Sequence, residues 1–457
     1  MSREGVTIVG AGPAGALLAI ILSRQGVPTT VYERRADPRR GAVAAGRSIN
    51  LALAERGLHA LRRAGLEERV RPLLIPMRGR IIHDLDGATT TLPYGQRPSE
   101  VIYSVSRAAL NRLLIEAAID DFGVDVHFDE ACTGADLATA TLSMRNAATG
   151  STQSVACNRI IGADGSGSAL RAAMVAAGAT QAREEFLGHQ YRELSIPPTA
   201  AGGHCIEREG LHIWPRGGFM LIALPNVDGS FTVTLFLARQ GGADSFESLS
   251  TGEALQAFFR RHFADALALM PELVQDFFGN PAGNMGTVYA EPWSAGRTAL
   301  LIGDAAHGIV PFHGQGMNCA LEDCVVFDDL LAAGHEWSSV FAEFERQRRP
   351  NTDAIAEMAL ENYVEMRDTV RDPKFQLQKA LSLELERRSP GRFVPRYSMV
   401  MFHHEIGYAE ALERGRIQQA LLDELTAGAA RLADVDLNRA GELVGQRLAP
   451  LPAVAAS

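Results

Sequence analysis

Val6-Thr7-Ile8-Val9-Gly10-Ala11-Gly12-Pro13-Ala14-Gly15 decides the fold. Val6, Ile8 and Val9 run as a strand into Gly10-x-Gly12-x-x-Gly15, and an apolar helix pattern follows from Ala16 to Leu22. A second strand, Thr29 to Tyr32, ends at Glu33, where the ribose of a bound dinucleotide would lie. Strand, glycine turn, helix and placed acid together form the context that a dinucleotide fingerprint requires. Gly10 permits the tight turn, Gly12 lets backbone approach a pyrophosphate, and Gly15 lets helix pack on strand. Pro13 and Ala14 open the helix, whose N-terminal N–H groups and dipole favour phosphate. The carboxylate at Glu33 accepts from a ribose 2′-hydroxyl and repels a 2′-phosphate, so this site favours FAD or NAD over NADP.

Working outward, 457 residues suit two or three packed lobes with ample core. Hydrophobic residues are 46% and charged residues 21%, ordinary for a globular chain. The formal net charge of −10 and the lack of a basic run interleaved with aromatics argue against a nucleic-acid partner. Five cysteines, an odd number with no Cys-x-x-Cys, read as free thiols in a reducing compartment. Arg3 and Glu4 lead straight into a strand with no leader pattern, and no long apolar run suits a membrane span. A cytoplasmic protein without membrane or metal is the expectation.

Along the chain, residues 41–53 read as a loop running into a helix, Ala54 to Arg71. Met77 to Pro93 reads as a hairpin turning at Asp84 to Gly87, and Ser106 caps a helix to Asp121. Strand-like pieces follow at Val124 to Phe128, Leu137 to Met144 and Ser154 to Ala156. A buried strand then delivers Asp164 and Gly165 to a turn, with a helix starting near Ser168. Leu211 to Trp214, Phe219 to Leu224 and Phe231 to Leu237 alternate with turns and predict an antiparallel sheet, followed by a helix from Thr251 to Met270. Thr298 to Asp304 is another buried strand ending in an acid, and Gly314-Gln315-Gly316-Met317-Asn318 opens a helix to Leu331. The remainder reads as helical, with an extended break from Pro390 to Met399.

Three nucleotide-type elements thus occur in order: the fingerprint, Asp164-Gly165 and Gly303-Asp304. Their order resembles the single-component FAD-dependent aromatic hydroxylases. The resemblance implies an α/β fold: a Rossmann-like FAD-binding domain, an antiparallel-sheet substrate domain (para-hydroxybenzoate hydroxylase-like) and a C-terminal helical region. The expected boundaries are 1–180 with 286–332, 181–285 and 333–457, the 72–100 hairpin serving the substrate lobe. Residues 46–53, Met77-Arg78-Gly79-Arg80, Pro93-Tyr94-Gly95, 310–322, 359–366 and 392–399 narrow the resemblance to the kynurenine 3-monooxygenases, soluble bacterial branch.

That resemblance implies tightly bound, non-covalent FAD with NADPH and O2 as co-substrates. Glu33 and Arg34 would serve the adenosine end, and Arg47, Ala52 and Arg107 lie close to the cofactor. Asp164 and Gly165 would approach the pyrophosphate, and Asp304 the ribityl chain. The helix end at Gly316, Met317 and Asn318 would stabilise charge on the reduced flavin. For the substrate, Arg80 would pair with a carboxylate, helped by Tyr94, Asn362 and Tyr397. Pro311, Phe312, His313 and Gln315 would face the rings, and Glu365 and Met366 share a helix face with Asn362. His313 is the candidate acid, with a packed histidine as its alternative. Taken alone, Arg80 also reads as a surface charge, and Tyr94 and Tyr397 as core residues. The implied reaction is hydroxylation of L-kynurenine to 3-hydroxykynurenine through a flavin C4a-hydroperoxide. The alternatives are a hydroxylase of a modified kynurenine or other anthraniloyl compound, a flavin halogenase, and a non-catalytic flavoprotein. The tryptophans Trp214, Trp293 and Trp337 form no Trp-x-Trp pair of the halogenase kind. The resemblance leaves room for a homodimer.

Overall fold

The computed structural model describes residues 5–40, 50–369 and 372–451. The chain forms two compact units. The first comprises Met1–Leu74, Val105–Leu187 and Met285–Ala356, the second Ile75–Ser104, Gly188–Asn284 and Glu357–Ser457. The sequence reading sets off 333–457 as one region. In the structure the helices from Glu357 onward cluster with the antiparallel sheet, and residues up to Ala356 with the parallel one.

The first unit is built on a six-stranded sheet. Its order is Ser294–Ala295, Ala299–Leu301, Ile160–Gly162, Val6–Val9, Thr29–Tyr32 and Asp125–His127. All neighbours are parallel except the edge strand Ser294–Ala295. Val6–Val9 is buried throughout, as a central parallel strand covered on both faces must be. Helix Pro13–Arg24 packs on it through a buried run from Gly15 to Leu22. Gly10 has φ +99°, open to glycine at little cost. A Cβ on Gly15 would lie 2.0 Å from the Gly10 carbonyl oxygen, backbone that cannot move aside. Gly15→Ala should therefore yield protein that loses nucleotide, checked by the flavin absorbance retained after gel filtration; full retention would refute the packing argument.

A three-stranded antiparallel sheet, Glu130–Asp136, Thr141–Asn146 and Thr152–Ala156, is appended to this unit. The strand expected at Leu137 to Met144 begins only at Thr141. Residues before it make the turn, with Ala140 at φ +50°, and Glu130–Asp136 is a strand that its small side chains concealed. The helix expected from Ala54 to Arg71 is cut at Gly65, φ +76°, into Glu55–Arg63 and Glu67–Val70.

In the second unit the antiparallel run is His189 to Ile196 beside Phe231–Ala238, Met220–Pro225 and Gly210–Pro215. The hairpin Gly79–His83 and Thr89–Pro93 extends it, Gly79–His83 lying parallel to Gly210–Pro215. One apolar core joins Leu194, Trp214, Leu221, Phe231 and Leu235 to Phe258, Phe259, Phe263 and Phe277. Phe258 and Phe259 come from helix Gly252–His262, Phe263 from the link that follows it, and Phe277 from Leu273–Gly279, beyond the expected end at Met270. The C-terminal helices Pro373–Arg388, Tyr408–Leu425 and Leu437–Arg447 close around Leu381, Leu385, Phe393, Leu421 and Leu443. The expected break from Pro390 to Met399 is shorter: Pro395 caps a helix, Arg396–Phe402, which carries Tyr397.

Candidate active site

The first unit gathers the nucleotide-type residues. A Cβ on Gly12 would meet nothing within 4 Å, so open space lies over the turn where Gly10 and Gly15 are tightly enclosed. Helices Pro13–Arg24 and Gly316–Ala332 both begin without a side-chain cap and with no acid in the first turn, leaving amide donors for an anion. Glu33 is buried. Its oxygens accept from the Ala11 and Arg35 amides at 2.8 and 2.9 Å, and a carboxylate retains further acceptor capacity. Asp164 Oδ2 accepts from Ala169 and Leu170, while its buried Oδ1 has no partner among the described residues. Burial pushes the Asp164 carboxyl up, against hydrogen bonds that lower it. Bare amides for a pyrophosphate and carboxylates for ribose and ribityl hydroxyls make a donor set that fits FAD.

Gly303, at φ +56°, turns strand Ala299–Leu301 into the one-turn helix Asp304–His307, which Asp304 opens half-buried. Gly308 ends that turn with φ −57°, and its carbonyl accepts from the Val288 amide at 2.7 Å. Asn318 is fully buried. Its amide group donates to the Ala52 and Gly314 carbonyls and accepts from Ala54 N–H, fixing the helix end at Gly316 to strand Asn50–Leu53. Phe312 and His313 are buried on the short turn Pro311–His313, Gln315 is buried, and Pro311 is exposed. Arg34 and Arg107 are exposed, and Arg47 lies outside the described residues.

Beneath Gly303-Asp304 lies a charge cluster that the sequence reading missed. Asp323 accepts from His307 Nε2 at 2.6 Å, Arg348 Nε at 2.7 Å and the Gly303 amide at 2.9 Å. Glu322 bridges Arg348 and Arg56, each at 2.5 Å. Burial opposes the charge on His307, but the facing Asp323 outweighs it and lifts the imidazole to about 10. Cys319 is buried beside this cluster and Cys324 is buried too; all five cysteines are free.

The second unit gathers the residues expected for the substrate. Arg80, 4% exposed on strand Gly79–His83, donates to Glu365 Oε1 at 2.7 Å and to Asn362 Oδ1 at 3.3 Å. Its guanidinium lies 5.2 Å from the centre of the Tyr397 ring, which stacks on Tyr94 at 5.3 Å. Burial pushes the Tyr94 hydroxyl up, against Arg80 and Tyr397, which face it and lower it. Asn362 Nδ2 lies 3.3 Å from the Met366 sulfur, so both face inward from helix Trp337–Arg367. Burial opposes the charge on both Arg80 and Glu365; each more than offsets this for the other, so the arginine is raised and the carboxyl lowered. Lys379, missed from sequence, faces the same pair from helix Pro373–Arg388. Burial and then Arg80 push its ammonium down to about 8. An isolated lysine on a helix with exposed charges gives no signal of this.

The FAD binding domain family matches residues 3–359. A kynurenine 3-monooxygenase of Myxococcus xanthus is 49% identical over 448 residues, 98% of this chain and 96% of that one. A kynurenine 3-monooxygenase of Xanthomonas axonopodis pv. citri is 48% identical over 451 residues, 99% and 98% of the two chains. Among solved structures, 2-methyl-3-hydroxypyridine-5-carboxylic acid oxygenase superposes with a TM-score of 0.66 at 19% identity, over 82% of this chain and 95% of that one. PqsL of P. aeruginosa, solved with 2-aminobenzoylacetate, gives 0.63 at 19% identity, over 80% and 97%. Those two likenesses bear on fold alone, whereas the near full-length identities place the chain within a narrower group. Fold, cradle and sequence agree: the chain belongs to the kynurenine 3-monooxygenase family of FAD-binding proteins.

Proposed function

We propose that this chain hydroxylates L-kynurenine at the ring carbon beside its amino group, giving 3-hydroxykynurenine. Arg80 carries the reading. A buried guanidinium flanked by Tyr94, Asn362 and Tyr397 is a receptor for a carboxylate, since an arginine fork binds one bidentately. The balance is L-kynurenine, O2, NADPH and a proton to 3-hydroxykynurenine, water and NADP+. FAD, when bound, would supply the redox chemistry that couples NADPH oxidation to insertion of one oxygen atom from O2.

The chain's own residues bind and orient. Glu33 would hold the adenosine ribose, the amides of Gly12, Ala14 and Gly15 the pyrophosphate, and Asp304 the ribityl chain. The amide end at Gly316, Met317 and Asn318 would stabilise negative charge on a bound flavin ring, a preorganised donor set that needs no rearrangement. The amino group of the substrate activates its own ring, so no protein nucleophile is required. The reading also places His313 near the reacting ring and the enzyme in the cytoplasm. Among the described residues no helix is long and apolar enough to cross a membrane.

The test is NADPH oxidation by the purified yellow protein with and without L-kynurenine, with the product identified by mass and retention. Faster oxidation with 3-hydroxykynurenine is expected. Stimulation yielding only hydrogen peroxide would overturn the substrate in favour of another anthraniloyl compound. No stimulation would overturn the kynurenine reading altogether.

A further inference from the structure

Residues 94–100 of the second unit fold around a buried carboxylate that neither the nucleotide cradle nor the Arg80 cluster uses. Glu100 is 5% exposed, and its Oε2 accepts the backbone N–H groups of Gln96 at 2.6 Å and Arg97 at 2.9 Å. A Cβ on Gly95 would sit 2.2 Å from that oxygen, so the loop closes this tightly only over glycine. Arg97 Nη1 completes the loop with a 2.6 Å bond to Glu100 Oε1.

From the closed loop two side chains reach helix Pro373–Arg388. Gln96 Nε2 donates to Glu386 Oε2 at 2.8 Å and to the Leu383 carbonyl at 2.9 Å. Arg97 Nη1 lies 3.5 Å from Glu386 Oε1. Glu386 is 2% exposed, a buried acid two turns along the helix from Lys379, which faces Arg80 and Glu365. A buried carboxylate with two partners on one short loop fixes that loop firmly, because leaving either side unpaired strands polar groups out of water. The loop begins at Tyr94, whose amide donates to the Arg78 carbonyl at 3.0 Å and whose ring stacks on Tyr397.

We propose that Glu386 is a positioning residue for substrate recognition: through Gln96 and Arg97 it holds Tyr94 against Tyr397, with the Tyr94 hydroxyl beside Arg80. The role rests on Arg80 and Tyr94 forming the carboxylate receptor. Glu386 belongs to helix Pro373–Arg388, far in sequence from both.

The experiment measures the Kd for L-kynurenine, from its perturbation of the flavin absorbance, together with KM and kcat, all on holoenzyme. Glu386→Ala should raise Kd and KM roughly tenfold, the size of one lost hydrogen bond to a charged group, with kcat within about twofold of wild type. Gln96→Ala, which removes the other half of the bond, should do the same. Glu386→Gln keeps an acceptor for Gln96 and should restore Kd to within about twofold. On a Tyr94→Phe background, Glu386→Ala should add little, because both changes act through one hydroxyl. Unchanged Kd in Glu386→Ala and Gln96→Ala, or a full additional loss on the Tyr94→Phe background, would overturn the proposal. Arg80→Ala separates the two levels. If it binds L-kynurenine normally, the carboxylate receptor itself is wrong; if it is impaired while Glu386→Ala is not, only the positioning role fails.

Discussion

Arg80→Ala will raise the KM for L-kynurenine by about thirtyfold to a few thousandfold while FAD stays bound. Truncating one partner of a buried, hydrogen-bonded charge pair costs ~2–5 kcal/mol, and each 1.4 kcal/mol is tenfold. Two losses combine here. The substrate carboxylate loses its fork, and Glu365 loses the cation 2.7 Å away that holds its charge inside the protein. Without Arg80 that carboxylate loses its nearest cation, Lys379 and Arg396 acting on it more weakly, and it will repel an incoming carboxylate. Arg80→Lys should recover only part of the loss, since an ammonium offers a point charge where the fork offered two parallel donors. Steady-state kinetics on the yellow protein check this. An unchanged KM in Arg80→Ala would remove Arg80 from substrate binding, and loss of the flavin spectrum would show a structural role instead.

The Arg80 partners were readable because each sits in a short run of distinctive residues. Their convergence was not, since Tyr94, Asn362 and Tyr397 come from a hairpin and two helices that only packing brings together. The fingerprint was legible for a different reason. Gly10 and Gly15 are dictated by a positive φ and a 2.0 Å approach, constraints that act over a few residues and leave their mark in the local sequence. Where local signals compete, sequence misleads. Pro390 and Pro395 read as breakers of a helix, yet Pro395 lies just before the first turn of Arg396–Phe402, where its missing N–H costs nothing. Long-range charge pairing leaves no pattern at all: His307 and Arg348 meet Asp323 from 16 and 25 residues away.

That cluster supports the second large effect. Asp323→Ala will destabilise the protein by ~3–5 kcal/mol, the cost of breaking a buried ion pair from one side, and will release FAD. The first consequence follows from burial. Asp323 is fully enclosed, and its removal strands Arg348, 2% exposed, with Glu322 as its remaining acidic partner. The second follows from connectivity. Asp323 accepts the amide of Gly303, the residue whose positive φ aims Asp304, so the turn loses its anchor where the ribityl chain is proposed to bind. Asp323→Asn separates charge from hydrogen bond, because its amide oxygen still accepts from Gly303 while the counter-charge is gone. The pH dependence has a definite sign. His307 titrates at about 10 in the fold against 6.5 for its ordinary value. Its contribution is therefore fully present below about pH 6.5 and is lost as pH rises toward 10. Asp323, held below its ordinary value, loses its contribution only as the solution turns acid. Thermal midpoints of wild type should fall between pH 6.5 and 10 more steeply than those of Asp323→Asn, in which His307 has lost the carboxylate that faces it at 2.6 Å. Parallel pH profiles, or an Asp323→Ala protein that keeps its midpoint and its flavin, would mean that the cluster neither stabilises the unit nor anchors the turn.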